Sequence, residues 1–510
     1  MEFLSLPDDY DKESTSRGLA SLNCLPQAQK QEAVAIDLSK DGNILLYGSP
    51  GTGKTTFLQT AAMDLARKQS PENLTMYLLD FGTNGLAPLT QLPHVADSLL
   101  LDQTEKIQKF IRIINRELDR RKKLLSEHGV GTIALYREVT GKQEPTMVIL
   151  MDSYESMKDE PYETDLFKLF MRISREGLSI GVHLIITASR QNNLRAQLYS
   201  NFKHQLTLPQ NDISEVRGIV GATPLASTME DIKGRALMKR DEVDVVQFAL
   251  PVAGDNDIQI INNLRDQVQS LKEMWTGRTP AGIPMVPDEL TEAAFYGRED
   301  VAALLDEGKV PLGLDLETVE PVTWDLKKGN LLYLTDKEEQ MTQFVKQIAR
   351  SKQKVIVLAP AYNELPEMEG VTILSTKEDY VAGIEKMEEN IQLRLEQQKS
   401  QHEATIVLYN QLELMNDLSM DLQSSLNYVL EKGARAGYAT VAMSGSQLNR
   451  KIDEVSKSIK LYKQAIVAMR ITDQSVLNVI NRPVREEPLD SQVNYYVEDG
   501  FVRKVKVLMK

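Results

Sequence analysis

Apolar runs of strand length alternate with amphipathic helical stretches through the first 250 residues. The stretch 104–126 places apolar side chains at the spacing of one helix face: Ile107, Phe110, Ile111, Ile114 and Leu118. After a polar lead-in at residues 1–40, strands are predicted at Ile44–Tyr47, Met76–Asp80, Met147–Asp152, His183–Ala188 and Val245–Leu250. This alternation predicts βαβ units around a mostly parallel sheet flanked by helices, an α/β fold.

The pattern restarts after a proline-bearing segment at residues 276–295, which we interpret as a linker. Residues 41–59 are echoed by 328–346, residues 147–155 by 405–413, and residues 179–190 by 435–446. Three echoes in the same order indicate a tandem duplication of one module. The predicted domains are therefore a module at 1–275, the linker at 276–295 and a second module at 296–510.

A phosphate-binding motif, GSPGTGKT, occupies residues 48–55 between a predicted strand and a predicted helix. Its glycines let backbone N–H groups face phosphates, and the helix N-terminus adds positive potential. We expect Lys54 to reach the β- and γ-phosphates of ATP and the Thr55 hydroxyl to bind Mg²⁺. The predicted ATP-binding residues are Gly48, Ser49, Pro50, Gly51, Thr52, Gly53, Lys54, Thr55 and Thr56. The fold class that follows is two tandem RecA-like P-loop NTPase modules, with an intact Walker A motif in the first.

An acidic residue at the end of a buried strand is the second part that a P-loop site needs, and Asp152 supplies it. Lys54 and Asp152 are thus the predicted catalytic residues, and Thr55 and Asp152 the predicted Mg²⁺ ligands. Many P-loop motors carry a glutamate directly after this aspartate, where Ser153 stands here; Glu155 could substitute from two residues on. The sequence therefore supports ATP binding better than fast hydrolysis.

Three arginines are candidates for contact with the γ-phosphate of ATP, within one chain or across a ring. Arg190 follows the later strand, and Arg172 and Arg175 precede it. The alternative for each is an ordinary solvated arginine, and the sequence does not separate the two interpretations.

The second module departs from the motif at every one of these positions. Aligned without gaps, Gly48 is matched by Thr335, Gly53 by Gln340, Lys54 by Met341, Asp152 by Asn410 and Arg190 by Ser446. Triphosphate charge would go largely uncompensated there. We therefore expect the second module neither to hydrolyse ATP nor to bind it. Arg435 remains before the equivalent strand, as a contact to a neighbouring module or as a surface residue.

Composition and charge restrict the classes of function and the cellular setting that the chain can have. The net charge is −14 and the sequence pI is about 5.1, which disfavours a dedicated nucleic-acid binder. Cys24 is the single cysteine, so an intrachain disulfide framework is excluded, and the five histidines lack metal-site spacing. No apolar stretch of 18 residues and no signal-peptide pattern occurs, so we expect a soluble chain in a reducing cytosol.

Four longer stretches resemble the FtsK/SpoIIIE family, and more narrowly its EssC/EccC branch of type VII secretion coupling ATPases. They are LLDFGTNGLAPLTQLPHVAD at 78–97, RRKKLLSEHGVGTIALYRE at 120–138, GVHLIITASR at 181–190 and VPLGLDLETVEPVTWDL at 310–326. The resemblance covers both modules, and the acidic composition is more similar to EssC. It implies that the Walker residues of the family are Gly48, Gly53, Lys54, Thr55 and Asp152 here.

The resemblance also implies a setting for the chain. Such proteins are membrane-anchored and carry three ATPase modules on one cytosolic chain, of which this chain resembles the second and third. It implies a place at the cytoplasmic face of the cell membrane, other secretion-system components as partners, and ring assembly of the full-length protein, with this fragment mainly monomeric. Small helical WXG-type proteins are the implied substrates. The apolar residues Met341, Leu412, Leu414 and Met415 would face a substrate helix or else belong to the core.

Two other functions stay open on the sequence. One is an FtsK-type DNA translocase, although the strand-like basic tail at the C-terminus is too short for a DNA-binding domain. The other is a docking platform that binds ATP without hydrolysing it.

Overall fold

The computed structural model describes residues 17–25, 30–239, 242–324, 329–351, 353–482, 486 and 488–508. The chain divides into two compact units at residues 1–283 and 284–510, so the division falls inside the proline-bearing segment. No helix among the described residues combines the length and the apolar character that crossing a bilayer requires.

The first unit consists of alternating strands and helices. Its strands are β1 (Arg17–Leu25), β2 (Lys30–Asp37), β3 (Ile44–Tyr47), β4 (Leu74–Asp80), β5 (Val95–Leu100), β6 (Thr146–Asp152), β7 (Val182–Ala188), β8 (His204–Thr207), β9 (Arg235–Lys239) and β10 (Val243–Phe248). Its helices are α1 (Leu38–Asp41), α2 (Lys54–Lys68), α3 (Thr104–Glu127), α4 (Ile133–Thr140), α5 (Glu163–Ile180), α6 (Ala196–Tyr199), α7 (Ile213–Val220), α8 (Pro224–Ser227) and α9 (Asp257–Met274).

The strands of this unit form one mixed sheet in the order β2-β1-β10-β9-β8-β3-β7-β6-β4-β5. From β8 to β5 all neighbours are parallel, and the strands from β9 to β2 add an antiparallel extension. The central strands β3, β4 and β7 are buried along their whole length, because helices cover both faces of a parallel sheet. That double burial explains why they were recognisable as continuous apolar runs.

The second unit repeats this architecture. Its strands are β11 (Val310–Asp315), β12 (Pro321–Trp324), β13 (Leu331–Leu334), β14 (Val355–Leu358), β15 (Val371–Leu374), β16 (Ala404–Leu408), β17 (Tyr438–Ser444), β18 (Gln464–Val467), β19 (Val493–Glu498) and β20 (Phe501–Lys506). Its helices are α10 (Glu292–Tyr296), α11 (Glu299–Asp306), α12 (Glu338–Ala349), α13 (Lys377–Glu396), α14 (Gln411–Asp417), α15 (Met420–Lys432) and α16 (Glu454–Ile459).

The order of the second sheet, β12-β11-β20-β19-β18-β13-β17-β16-β14-β15, is that of the first with ten added to every strand number. Chance similarity of short segments does not reproduce the order of a whole sheet. The predicted fold class, two tandem modules that each contain a mostly parallel sheet, is confirmed.

The polar lead-in predicted at residues 1–40 is wrong for its later part. Residues 17–25 and 30–37 form the strands β1 and β2, which pair antiparallel with each other and, through β1, with β10. Their sequences, RGLASLNCL and KQEAVAID, mix polar and apolar residues, so they lack the continuous apolar run that marked the central strands. Residues 1–16 and 26–29 lie outside the described part of the chain.

The core of the first unit lies on both faces of the parallel strands. Apolar side chains of α2 and α9 pack on one face, among them Phe57, Leu58, Ala61, Leu264 and Val268. The predicted apolar face of α3 is confirmed: its five residues Ile107, Phe110, Ile111, Ile114 and Leu118 are all buried. The sheet is thereby held between helical layers, with the carboxyl ends of β3, β6 and β7 adjacent to one another.

We predict that His183 makes the first unit less stable in acid. It is 1% exposed on β7, and burial lowers its pKa to about 4, with the charge of Arg121 acting in the same direction. An unfolded histidine has a pKa of about 6.5, so the unfolded chain takes up a proton before the folded one does. Stability should therefore fall as the pH drops from about 6.5 to about 4, by up to about 3 kcal/mol from this residue.

The measurement is urea unfolding of the wild type and of His183→Leu at several pH values in this range. The variant should lose part of the pH dependence, whatever its stability at neutral pH. Parallel pH profiles for the two proteins would contradict the prediction.

Candidate functional site

A six-residue loop, residues 48–53, joins β3 to the start of α2. The Gly48 N–H donates to the Ala188 carbonyl at 3.1 Å, which ties the loop to the neighbouring strand β7. A Cβ at Gly48 would lie 2.8 Å from Leu208 Cβ, so the close approach requires glycine. Gly51 and Gly53 have φ values of +82° and +112°, which other residues rarely adopt. The glycines of the motif are thus required by the backbone of the loop.

Lys54, the first residue of α2, is folded back onto this loop. Its Nζ donates to the carbonyl oxygens of Gly48 at 2.7 Å and Ser49 at 3.2 Å. Burial lowers the pKa of Lys54, and the negative charges of Glu155 and Asp152 oppose that shift. The Lys54 ammonium group therefore lies inside the loop, where the effect of burial on its pKa exceeds that of the two carboxylates.

Thr55 and Asp152, the predicted Mg²⁺ ligands, are brought together. The Thr55 hydroxyl donates to Asp152 Oδ2 at 2.7 Å, and the Thr187 hydroxyl donates to Oδ1 at 2.6 Å. Asp152 is only 2% exposed, so both hydroxyls compensate for the lost hydration of its charge. A carboxylate and a hydroxyl side by side are oxygen donors of the kind that Mg²⁺ takes in NTPase sites, so the residues present fit that ion.

The remaining motif residues make contacts within the loop and the first turn of α2. Thr52 donates its hydroxyl to the Ser49 carbonyl at 2.8 Å, and its own carbonyl accepts from Gly234 at 3.0 Å. Pro50 and Gly51 are exposed at the tip of the loop. Thr56, on the first turn of α2, accepts the Thr60 hydroxyl through its carbonyl at 2.9 Å.

Sequence reasoning assigned no role to a loop that lies against this site, residues 80–86. Asp80 ends β4 directly beside Asp152 in the sheet register, and its Oδ2 accepts the Leu86 N–H at 2.7 Å. Burial raises the pKa of Asp80, and the neighbouring Asp152 adds to the shift. Asp80 carries the same signal that identified Asp152, an acidic residue ending a buried strand, so it could have been found.

Gly85 in this loop approaches Thr55 closely. A Cβ at Gly85 would lie 2.3 Å from Thr55 Cγ2, and Gln59 of α2 donates to the Gly85 carbonyl at 2.7 Å. The loop therefore packs onto the predicted Mg²⁺ ligand, and only glycine leaves room for the Thr55 side chain.

The three candidate arginines have protein partners or face solvent. Arg172 bonds with Asp119, with Asn115 on α3 and with Glu176 on its own helix. Arg190 lies 3.4 Å from Glu215 and is 56% exposed. Arg175 is exposed. These contacts describe surface ion pairs of the first unit and leave a role across a ring as a hypothesis.

In the second unit, the equivalent loop has only three residues, 335–337, because α12 begins at Glu338. Thr335 occupies the place of Gly48: its N–H donates to Ser444 as that of Gly48 does to Ala188. Lys54 opens α2, and the residue that opens α12 is Glu338. The gapless match of Lys54 with Met341 nevertheless holds, since both residues follow the equivalent strand positions Ile44 and Leu331 by ten residues. Thr342 contacts Tyr409 at 2.9 Å as Thr55 contacts Asp152, so α12 begins one turn earlier and no loop residue is missing. Met341 is 3% exposed in the core of this unit.

The match of Asp152 with Asn410 is wrong by one residue. Sheet register identifies the equivalent pairs as Ile44 and Leu331, Ile185 and Val441, and Leu150 and Val407. Counting two residues on from the last pair places Tyr409 at the position of Asp152 and Asn410 at that of Ser153. Ser153 and Asn410 share a left-handed backbone, with φ of 61° and 43°, which supports this register.

The shortened loop of the second unit is closed by its own polar side chains. Glu338 accepts from Asn410 at 3.1 Å and from Asn363 at 3.3 Å, and Asp336 accepts the Ser446 N–H at 2.9 Å. Leu414 is fully buried, and Leu412 and Met415 pack partly buried against the core. The apolar residues considered for substrate contact, Met341 included, thus contribute to the core. The segment 335–339 carries three carboxylates and one lysine.

Comparisons with known proteins follow the same division into two modules. The FtsK/SpoIIIE family profile matches residues 6–227. The type VII secretion system protein EssC of Staphylococcus aureus (strain MRSA252) is 30% identical over 98% of this chain, which spans 34% of that protein's length. EssC ATPases 2 and 3 from Geobacillus thermodenitrificans share 26% identity and a TM-score of 0.88, over 99% of this chain and 98% of that one.

A more distant structure shows the same fold. Thermomonospora curvata EccC ATPases 2 and 3, in complex with a signal sequence peptide, share 20% identity and a TM-score of 0.58, over 99% of this chain and 95% of that one.

We predict that Gly85→Ala disturbs the site through Thr55. The added methyl group would force Thr55 or the loop to move, which typically costs about 1–3 kcal/mol. Both the urea-unfolding free energy of the first unit and the affinity for Mg·ATP should fall. Gly131→Ala is the matched control, since a Cβ there meets nothing within 4 Å. Equal behaviour of the two variants, by urea unfolding and calorimetric titration, would show that the loop does not constrain Thr55.

Proposed function

Since residues 6–227 belong to the FtsK/SpoIIIE family and the whole chain has the architecture of EssC/EccC ATPases 2 and 3, we propose that its first module binds and hydrolyses Mg·ATP for protein secretion. The observation that carries the proposal is the convergence of Lys54, Thr55 and Asp152 at the carboxyl ends of β3 and β6, the strands on either side of β7. These residues supply a cation for phosphate oxygens and oxygen ligands for Mg²⁺.

The proposed roles follow from the contacts of each side chain. Lys54 exchanges the carbonyl oxygens of Gly48 and Ser49 for phosphate oxygens, and the loop N–H groups receive the remaining negative charge. Thr55 and Asp152 hold Mg²⁺, and Thr187 keeps the Asp152 carboxylate oriented. When bound, Mg²⁺ neutralises charge on the β- and γ-phosphate oxygens.

The second module, in this proposal, binds no triphosphate. A three-residue loop offers too few successive N–H groups to surround a phosphate. Glu338 and Asp336 also place negative charge where the first module has its phosphate-binding loop, and Met341 stands at the position of Lys54. A triphosphate there would meet three carboxylates, Asp336, Glu338 and Glu339, against the single lysine Lys337 of the same segment. This module therefore contributes by contacts other than nucleotide binding.

Substrate recognition is proposed for the second module, with small helical proteins of the WXG type as substrates. The EccC structure that shares this fold is described with a signal sequence peptide, which supports a peptide ligand for such modules. An apolar cavity of about 180 Å³ beside α12, lined in part by Leu312, Phe344 and Ile466, offers room for an apolar side chain. The full-length protein is proposed to be a ring at the cytoplasmic face of the membrane.

The balance of charge favours secretion over DNA translocation. The chain carries 73 acidic and 59 basic residues, a net charge of −14 that repels a phosphate backbone. An acidic chain is compatible with a protein substrate, and we therefore keep protein transport as the proposed function.

We predict one Mg·ATP site per chain, lost or strongly weakened in Lys54→Ala. Removal of a charged hydrogen-bond donor to phosphate should lower the affinity by about 10- to 100-fold. Lys337→Ala, in the short loop of the second module, is the matched control and should bind as the wild type does. The measurement is a calorimetric titration of Mg·ATP into the three proteins. Two sites per chain would contradict the proposed inactivity of the second module, and no site would contradict the proposed function.

A further inference from the structure

The carboxylate of Glu155 is held at the end of the strand next to its own. Ser153 turns the chain after β6 with its left-handed backbone, and the turn Tyr154–Met157 that follows is anchored by its two buried end residues. Glu155 thereby reaches Ser189, which follows β7. The Ser189 N–H lies 3.2 Å from each carboxylate oxygen of Glu155, and the Ser189 hydroxyl donates to Oε1.

Ser189 lies next to the phosphate-binding loop, residues 48–53. The residue before it, Ala188, accepts the Gly48 N–H, and Gln210 donates to the Ser189 carbonyl at 3.1 Å. The charge of Glu155 acts on Lys54 more strongly than that of Asp152 does. The Glu155 carboxylate therefore lies beside the loop and the lysine that face the γ-phosphate in the proposed function.

Ser189 fixes the orientation of the Glu155 carboxylate but does not occupy all of its hydrogen-bond acceptor positions. An ionised carboxylate has about four acceptor positions, and Ser189 supplies two donor groups. Acceptor capacity remains for a water molecule. This is the arrangement that a general base needs: an orientation set by the protein and a free lone pair.

The second module offers an internal comparison. By the sheet register, Leu412 stands at the position of Glu155 and Gly445 at that of Ser189. The two positions are again neighbours, since a Cβ at Gly445 would lie 3.6 Å from Leu412 Cδ1. Glu155 and Ser189 are thus both absent from the second module, in which Lys54 and Asp152 are also replaced. A pair needed only to support the fold would be expected in both modules, which share that fold.

We propose that Glu155 is the general base of ATP hydrolysis in the first module and that Ser189 is its positioning residue. The inference rests on the proposed function. Water attacks the γ-phosphorus: an O–P bond forms, the bond from this phosphorus to the β–γ bridging oxygen breaks, and ADP leaves with the electron pair. The water proton passes to Glu155 and then to solvent. The acidic residue absent at Ser153 is in this way supplied from two positions further on.

The test separates binding from turnover in Glu155→Gln, with Glu160→Gln from the same segment as matched control. Calorimetry with Mg·ATP should give affinities within about threefold for the wild type and both variants. Turnover, measured as phosphate release, should fall at least 100-fold in Glu155→Gln, the usual range for loss of a general base. Ser189→Ala keeps the backbone N–H and should lower kcat about tenfold with KM nearly unchanged.

Each result bears on one of the two proposals. Turnover in Glu155→Gln equal to that of the wild type overturns the role of Glu155 and leaves the ATPase function intact. Lost affinity together with lost turnover assigns Glu155 to structure or binding, which also overturns the role. A wild type that binds Mg·ATP without turnover above the protein-free background leaves no reaction for Glu155 and overturns the inference. Absence of Mg·ATP binding by the wild type contradicts the proposed function itself.

Discussion

The buried carboxylate of Asp152 is the interaction on which the candidate site depends. It links three elements: its own strand β6, the helix α2 through Thr55, and the strand β7 through Thr187. Burying a carboxylate that is only 2% exposed costs free energy of folding unless its oxygens accept hydrogen bonds. The two hydroxyls offset that cost. The same contacts place Thr55 and Asp152 together before any ion binds. Pre-organisation of the proposed Mg²⁺ site and stability of the fold therefore have one cause.

Strand ends and two glycine-containing loops surround the Asp152 carboxylate. Loop 80–86 packs onto Thr55 at Gly85, and the P-loop is tied to β7 through Gly48. Both contacts require a residue without a Cβ. The site is thus defined by backbone approach as much as by charged side chains, which is why the motif glycines matter beyond their flexibility.

The two modules show that one sheet order can carry opposite local chemistry. In the first, a lysine opens the helix and a carboxylate ends the strand; in the second, Glu338 opens the helix and Tyr409 stands at the strand position. The core is built by the same strands in both, so the fold tolerates this exchange. The differences that separate them are the earlier start of the helix in the second module and the sign of a few charges. We infer that the second module kept its architecture for a contact role.

The sequence by itself determined the fold class, the duplication and the family. Continuous apolar runs reveal strands buried on both faces, and the P-loop motif is local in the chain, so neither needs tertiary information. Strands β1 and β2 escaped notice because their sequences mix polar and apolar residues and form no such run.

Only the tertiary structure decided which residues meet across the sheet. Strand pairing shows that Tyr409, and not Asn410, is the equivalent of Asp152 in the second module. The contact of Glu155 with Ser189 joins residues 34 positions apart in the chain. The short loop at 335–337 became visible only when the start of α12 was fixed, because a residue alignment does not show that this helix begins one turn earlier. Local patterns specify elements, whereas long-range packing specifies neighbours, and the chemistry of this site belongs to the neighbours.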